Sequence, residues 1–173
     1  IDTETSGLVL VAKNAFSDMF LKNMFEEKLY TKKYKALVNG QIKEELIINT
    51  PITNDDGLIK LKMKTHTNGK ESTTIIKPIF YDEKNNQTLV EAIPLTGRQH
   101  QIRVHLDSIG HSIIGDTLYG VNEDFADKFL KNEISKEKRV EITKASRLML
   151  QADYLEFGFL DVIYKFSSKQ TFF

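Results

Sequence analysis

Residues 72–95 read STTIIKPIFYDEKNNQTLVEAIPL, and this stretch decides the fold class. Two runs rich in β-branched and aromatic residues, Ser72–Tyr81 and Thr88–Leu95, flank the polar segment Asp82–Gln87. Asn and Asp bend the backbone and bond to it locally, so such a loop closes the two runs into a hairpin. Working outward, Tyr30–Val38 reads as a further strand, stopped by Asn39-Gly40. Leu58–Thr65 alternates, with Ile59, Leu61 and Met63 on one side and Lys60, Lys62 and Lys64 on the other, the pattern of a strand with one wet face. Leu148–Phe157 and Leu160–Ser167 read as two closing strands that turn at Gly158, and Leu8–Ala12 as a short buried strand after Gly7.

Helices are fewer. Asn14 is placed to cap a helix over residues 15–28, with Phe16, Met19, Phe20 and Met24 on one face and Asp18, Lys22 and Glu26 on another. A second helix, Arg98–Ser108, ends at Gly110. Ile113–Tyr119 is expected to be irregular, and the charge-rich Asn122–Lys144 to be a surface helical insertion. Strands in succession with few helices predict α+β with a largely antiparallel sheet.

A chain of 173 residues with 40% hydrophobic and 28% charged residues suits one globular domain. Lys plus Arg and Asp plus Glu are equal at 24 each, so an RNA partner would need a local basic face. The absence of cysteine excludes disulfides, thiolate metal sites and a cysteine nucleophile, and fits a cytoplasmic protein. No apolar run approaches the ~20 residues of a membrane span. The N-terminus lacks a signal-peptide layout. The chain opens at Ile1 without Met, within a patterned segment, which reads as a domain whose upstream part is missing.

Four segments carry chemistry. In Asp2–Leu8 a carboxylate sits among hydroxyls and a glycine, either as a catalytic aspartate on a loop or as the cap of a simple turn. In Gly97–Leu106, His100 and Arg103 lie one helical turn apart with Asp107 beyond. Arg103 could there hold a buried carboxylate ionised, or the helix could be a polar surface one. His100 and His105, five apart, point in different directions and give no metal site. In Tyr30–Val38, Tyr30, Lys32 and Tyr34 share a strand face, which suits a nucleic-acid surface or a lysine-blunted edge. His111 with Gly115–Gly120 reads as a packed turn, and His66 as a surface residue.

Taken in order, five blocks resemble the RluA-type pseudouridine synthases. They are Asp2–Leu8 (Asp-x-x-Thr-Ser-Gly-Leu), Lys32–Ala36 (Lys-x-Tyr-x-Ala), Thr96–His105 (Thr-Gly-Arg-x-His-Gln-Ile-Arg-x-His), Gly110–Gly120 and Arg147–Leu150. The resemblance implies conversion of uridine to pseudouridine in ribosomal or transfer RNA, without metal or cofactor. The chain is expected to act as a monomer. The resemblance also implies a pseudouridine synthase fold, with a mixed, mostly antiparallel central sheet and an RNA cleft across it. It assigns Asp2 as the catalytic carboxylate, Tyr34 as the active-site tyrosine and Arg103 as the partner of the aspartate. Lys32, Arg98, His100 and Gln101 are expected on the substrate, and Leu148 or Leu150 against the uracil. Two departures stand out. The His-Arg pair usual before the aspartate is absent, and Gln151 stands where the family usually has a histidine. Two other readings compete: an inactive RNA-binding module of the same fold, and a glycoside hydrolase pairing Asp2 with Glu4, Glu91 or Asp107.

Overall fold

The computed structural model describes residues 2–169. Its main sheet has seven strands: β1 (Ser6–Gly7), β2 (Tyr30–Asn39), β3 (Leu46–Asn49), β6 (Thr73–Asp82), β7 (Gln87–Pro94), β8 (Leu150–Phe159) and β9 (Val162–Ser167). The order runs β1-β8-β2-β7-β6-β3, with β9 also on β8. Every pairing is antiparallel except β1 on β8, so the sheet is mixed and mostly antiparallel. β4 (Ile52–Asn54) and β5 (Met63–Thr65) form a separate hairpin. The helices are α1 (Ala15–Glu26), α2 (Gln101–Ser108), α3 (Glu123–Leu130) and α4 (Lys136–Thr143).

The residues of β7 alternate strictly between half-buried and buried, and its buried set ends in Val90, Ala92 and Pro94. Val90 and Ala92, with Ala36, Val38, Ile76, Leu148 and Leu150, form one face of the core. Ile102 and Leu106 of α2 pack on that face, while Val104 faces a second cluster of Ile52, Ile59, Leu118, Tyr119 and Ala126. The eight-residue α2 is therefore covered on two sides, and residues 101–106 are all buried. That double burial takes Arg103 out of water and fixes where its guanidinium points.

Several expectations change. Leu8–Ala12 joins no ladder beyond the Leu8 amide bond to the Ala152 carbonyl, and its side chains alternate half-buried with exposed; the strand is the shorter Ser6–Gly7. Of Leu58–Thr65 only the last three residues are strand. Ile59 is buried, but Leu58 and Leu61 are exposed because a turn bonds the Lys62 amide to the Ile59 carbonyl. β3 and β4, too short to stand out in the pattern, were not foreseen. α2 starts three residues late because His100 sits in the left-handed region at φ 54°. The last hairpin turns at Leu160-Asp161, both at positive φ as a two-residue loop of this hand requires, and Gly158 lies inside β8. On α1, Met24 is buried, but Phe16 and Met19 on the same apolar face are exposed.

The site leans directly on Gly7. Its φ is +103°, and a Cβ there would lie 2.2 Å from the Ala152 carbonyl oxygen. Both the backbone hand and the close approach of β1 to β8 require the missing side chain. Gly7→Ala is expected to cost upwards of about 2 kcal/mol of unfolding free energy, combining backbone strain and clash, read as a lower urea midpoint.

Candidate active site

The site lies where the start of the chain meets the N-terminal end of α2. Ser6 pairs in register with Gln151, and its hydroxyl donates to the Leu150 carbonyl at 3.2 Å. Arg147 donates to the Ser6 hydroxyl, also at 3.2 Å. The Thr5 amide donates to the Asp2 carbonyl at 3.0 Å, closing a tight turn. These bonds hold Asp2 over the N-terminal end of α2.

Arg103 spreads its nitrogens over two carboxylates. Nε and Nη2 donate to the two oxygens of Asp116, each at 2.8 Å, a planar bidentate pair that is fully buried. Nη1 reaches Asp2 Oδ2 at 3.5 Å. Burial alone would lower the pKa of Arg103, but the hydrogen bonds and charge of Asp116, with Asp2 adding to them, reverse this and hold it firmly protonated. The carboxylate that orders Arg103 is thus Asp116, and Asp2 takes the third nitrogen. Asp116 Oδ1 also accepts the Leu118 and Tyr119 amides at 2.9 and 3.1 Å. The packed turn read from Gly115–Gly120 is present, and it presents the acid that Arg103 needs.

Tyr119 packs against Arg103 and His100. Its ring centroid lies 5.0 Å from the Arg103 guanidinium carbon. Its hydroxyl accepts the Met63 amide at 2.9 Å and lies 2.9 Å from His100 Nδ1. Burial raises the Tyr119 pKa and lowers that of His100, which Arg103 lowers further, so both stay neutral near pH 7. A neutral imidazole can accept the tyrosine proton, and this bond holds His100 in its left-handed conformation at the helix start.

A cleft of about 300 Å³ opens above, at the small end of ligand sites (~300–1,000 Å³). Asp2, Lys32, Tyr34, His100, Arg103 and Leu150 line it, with Arg98 and Gln101 at its Thr96–Gln101 rim. Burial, then the charge of Asp2, raises the pKa of Tyr34, keeping it a phenol beside the carboxylate. Burial lowers the pKa of Lys32, which has no ion pair among the described residues. All the expected site residues but one therefore converge. Leu148 does not line the cleft: it is fully buried in the core, and Leu150, two residues on, faces the opening. Gln101 touches the cleft, but its amide is spent inside the protein. Oε1 accepts the Thr96 hydroxyl and the Arg98 amide, and Nε2 donates to the Thr73 carbonyl and the Thr74 hydroxyl. It staples the rim loop to β6. Gln151 is fully buried in β8, opposite Ser6 and Lys35.

His105 is structural. Nε2 donates to the Thr50 carbonyl at 3.0 Å, and Nδ1 lies 2.8 Å from the Thr74 hydroxyl. Burial lowers its pKa, as it does for His100. An unfolded histidine binds its proton at ~6.5. Below that pH the unfolded chain holds more protons than the folded one, so stability is full above ~6.5 and falls with falling pH. The urea midpoint is expected to drop between pH 7 and pH 5, and to drop less in His105→Gln.

A family model described as RNA pseudouridylate synthase matches residues 1–108. An uncharacterized RNA pseudouridine synthase of Helicobacter pylori (strain J99) is 38% identical over 171 residues, which is 97% of this chain and 56% of that protein. The dual-specificity RNA pseudouridine synthase RluA of Vibrio cholerae is 38% identical over 131 residues, 74% of this chain and 53% of that protein. The chain thus spans about half the length of these relatives. Among solved structures, human RNA pseudouridylate synthase domain containing 1 superposes with a TM-score of 0.81 at 25% identity, covering 100% of this chain and 68% of that one.

Proposed function

Because the chain belongs to the RNA pseudouridylate synthase family, we propose that the protein it represents isomerises uridine to pseudouridine in ribosomal or transfer RNA. Asp2 is the catalytic carboxylate in this reading, Arg103 its orienting cation and Tyr34 the adjoining acid–base group. The observation that carries it is the shared guanidinium: Arg103 is saturated by Asp116 on one edge and offers its remaining nitrogen to Asp2 at the cleft. Asp2 thus has a positive charge beside it without being tied up by a close bidentate pair. The isomerisation breaks the bond from uracil N1 to C1′ and forms one from C5 to C1′; the C5 proton goes to solvent and N1 takes one up. Attack on C1′, addition to the ring and deprotonation at C2′ all require an ionised, fixed carboxylate. Leu150 and Tyr34 give the detached base an apolar wall and a ring to lie against. Lys32 and Arg98 at the rim suit the phosphates of a nucleotide turned out of its stack.

The reading places the protein in the cytoplasm as a monomer with RNA as its partner; no helix among the described residues is long and apolar enough to cross a membrane. The inactive-module alternative explains the lysines but not why a carboxylate beside a guanidinium is held open at the cleft. Tritium release from ribosomal or transfer RNA labelled at uracil C5 tests the proposal. The full-length protein is expected to release label stoichiometrically with pseudouridine formed. Binding of these RNAs without any release would replace the enzyme by the binding module.

A further inference from the structure

The arm formed by α3 and α4 lies beyond residues 1–108, the part that the family model matches. It reads from sequence as a charged surface insertion, and its ion pairs Lys128–Asp124, Lys131–Asp127 and Lys138–Glu141 are indeed exposed. Its inner side is different. Phe125 and Ala126 are buried, and the Arg139 guanidinium lies 5.1 Å from the Phe129 ring centroid. Arg139 Nη2 then leaves the arm in two directions. It reaches Glu4 Oε1 at 2.7 Å and donates to the Gly115 carbonyl at 3.1 Å. The other oxygen of Glu4 accepts the Thr117 hydroxyl at 3.0 Å. The arm end is tied to the same turn, since the Gly115 amide donates to the Thr143 carbonyl at 2.7 Å. Gly115 and Thr117 flank Asp116, and Glu4 lies two residues from Asp2.

We propose that Arg139 and Glu4 are positioning residues through which the α3–α4 arm sets the Asp2 loop against the Asp116 turn. Both carboxylates that share Arg103 sit on short loops, and the structure gives those loops a direct link outside the cleft, at Glu4. The Arg139–Glu4 pair is largely shielded from solvent, with side-chain exposures of 13% and 25%, so its geometry is held better than that of the exposed pairs along the arm. Its effect is on placement. The 3.5 Å separation between Asp2 and Arg103 is set from the far side of the loop, and small misplacements of a reacting group are costly in rate.

The inference rests on the proposed reaction for its kinetic readout, and the test has a second readout that does not. In the full-length protein, Arg139→Met keeps bulk beside Phe129 and removes the charge, Arg139→Lys restores a cation, and Glu4→Gln removes the partner charge. Hydrogen exchange is followed at the Thr5 and Leu8 amides without RNA, alongside kcat and KM for tritium release from C5-labelled RNA. Arg139→Met is expected to speed exchange in residues 2–8 at least about tenfold and to lower kcat about tenfold, with KM within about twofold. Arg139→Lys should recover most of both, and adding Glu4→Gln to Arg139→Met should change little more. Unchanged exchange in Arg139→Met overturns the link. So does a loss confined to KM, or a loss that Arg139→Lys leaves unrecovered. If wild type releases no tritium but exchange responds as stated, the proposed reaction fails while the mechanical link stands.

Discussion

Asp2→Asn is expected to lower uridine turnover by about 10³-fold or more while leaving the fold intact and RNA affinity within a few-fold. The substitution is nearly isosteric. The Thr5 amide still bonds the residue 2 carbonyl, and Arg103 keeps both bonds to Asp116. Only the negative charge is lost, from a side chain that is a quarter exposed. Because Asp116 alone saturates one edge of Arg103, the arginine does not need Asp2 to remain charged and in place. The carboxylate is thus free of structural duty, and its removal isolates chemistry from stability. Tritium release and a urea melt on the same preparation provide the check. Activity within tenfold of wild type would remove Asp2 from the mechanism.

The opposite division of labour holds for Asp116. Asp116→Ala leaves a guanidinium buried in the middle of α2, with only the longer contact to Asp2. Breaking a buried pair by deleting one partner costs ~3–5 kcal/mol, a large share of the ~5–15 kcal/mol that holds a domain together. The turn also loses the acceptor for the Leu118 and Tyr119 amides. Turnover should fall as well, because Arg103 can then close on Asp2 and draw it away from the cleft. Asp116→Asn keeps an amide acceptor for the turn and should destabilise less. Arg103→Met, added to Asp116→Ala, should restore part of the stability by removing the orphaned charge. An unchanged urea midpoint in Asp116→Ala would show that the pair does not hold this region.

Much of this was legible in the sequence, for identifiable reasons. The β6–β7 hairpin announces itself because its strands are rich in β-branched and aromatic residues and its loop is built of turn formers. The Thr96–His105 block assembles where it was expected because one short helix and its entry loop carry all of it. What failed is equally physical. Leu148 and Leu150 are two apart and look alike; both join the core, and only Leu150 also reaches the opening, a difference made by the elements packed over each. Gln101 looks like a substrate ligand because sequence cannot show that Thr73, Thr74, Thr96 and Arg98 already occupy its amide. Gly158 draws the turn away from Leu160-Asp161 because non-glycine residues at positive φ are uncommon. Asp116 was read as part of a turn, which it is. Nothing local indicates that an arginine thirteen residues earlier ends against it, because that meeting is made by tertiary packing of α2. The pairing of Glu4 with Arg139 is hidden for the same reason, the two being 135 positions apart.

The parallel seat of β1 on β8 has a consequence for the order in which the molecule is made. Ser6 emerges from the ribosome among the first residues described, and Leu150, whose carbonyl accepts its hydroxyl, follows 144 positions later. A nascent chain can complete the β2, β6 and β7 portion of the sheet while its leading segment has nowhere to dock. Closing so long a loop comes after the local hairpins have formed. Competence for chemistry would therefore arrive late in biogenesis, with the strand that gives the proposed catalytic carboxylate its berth.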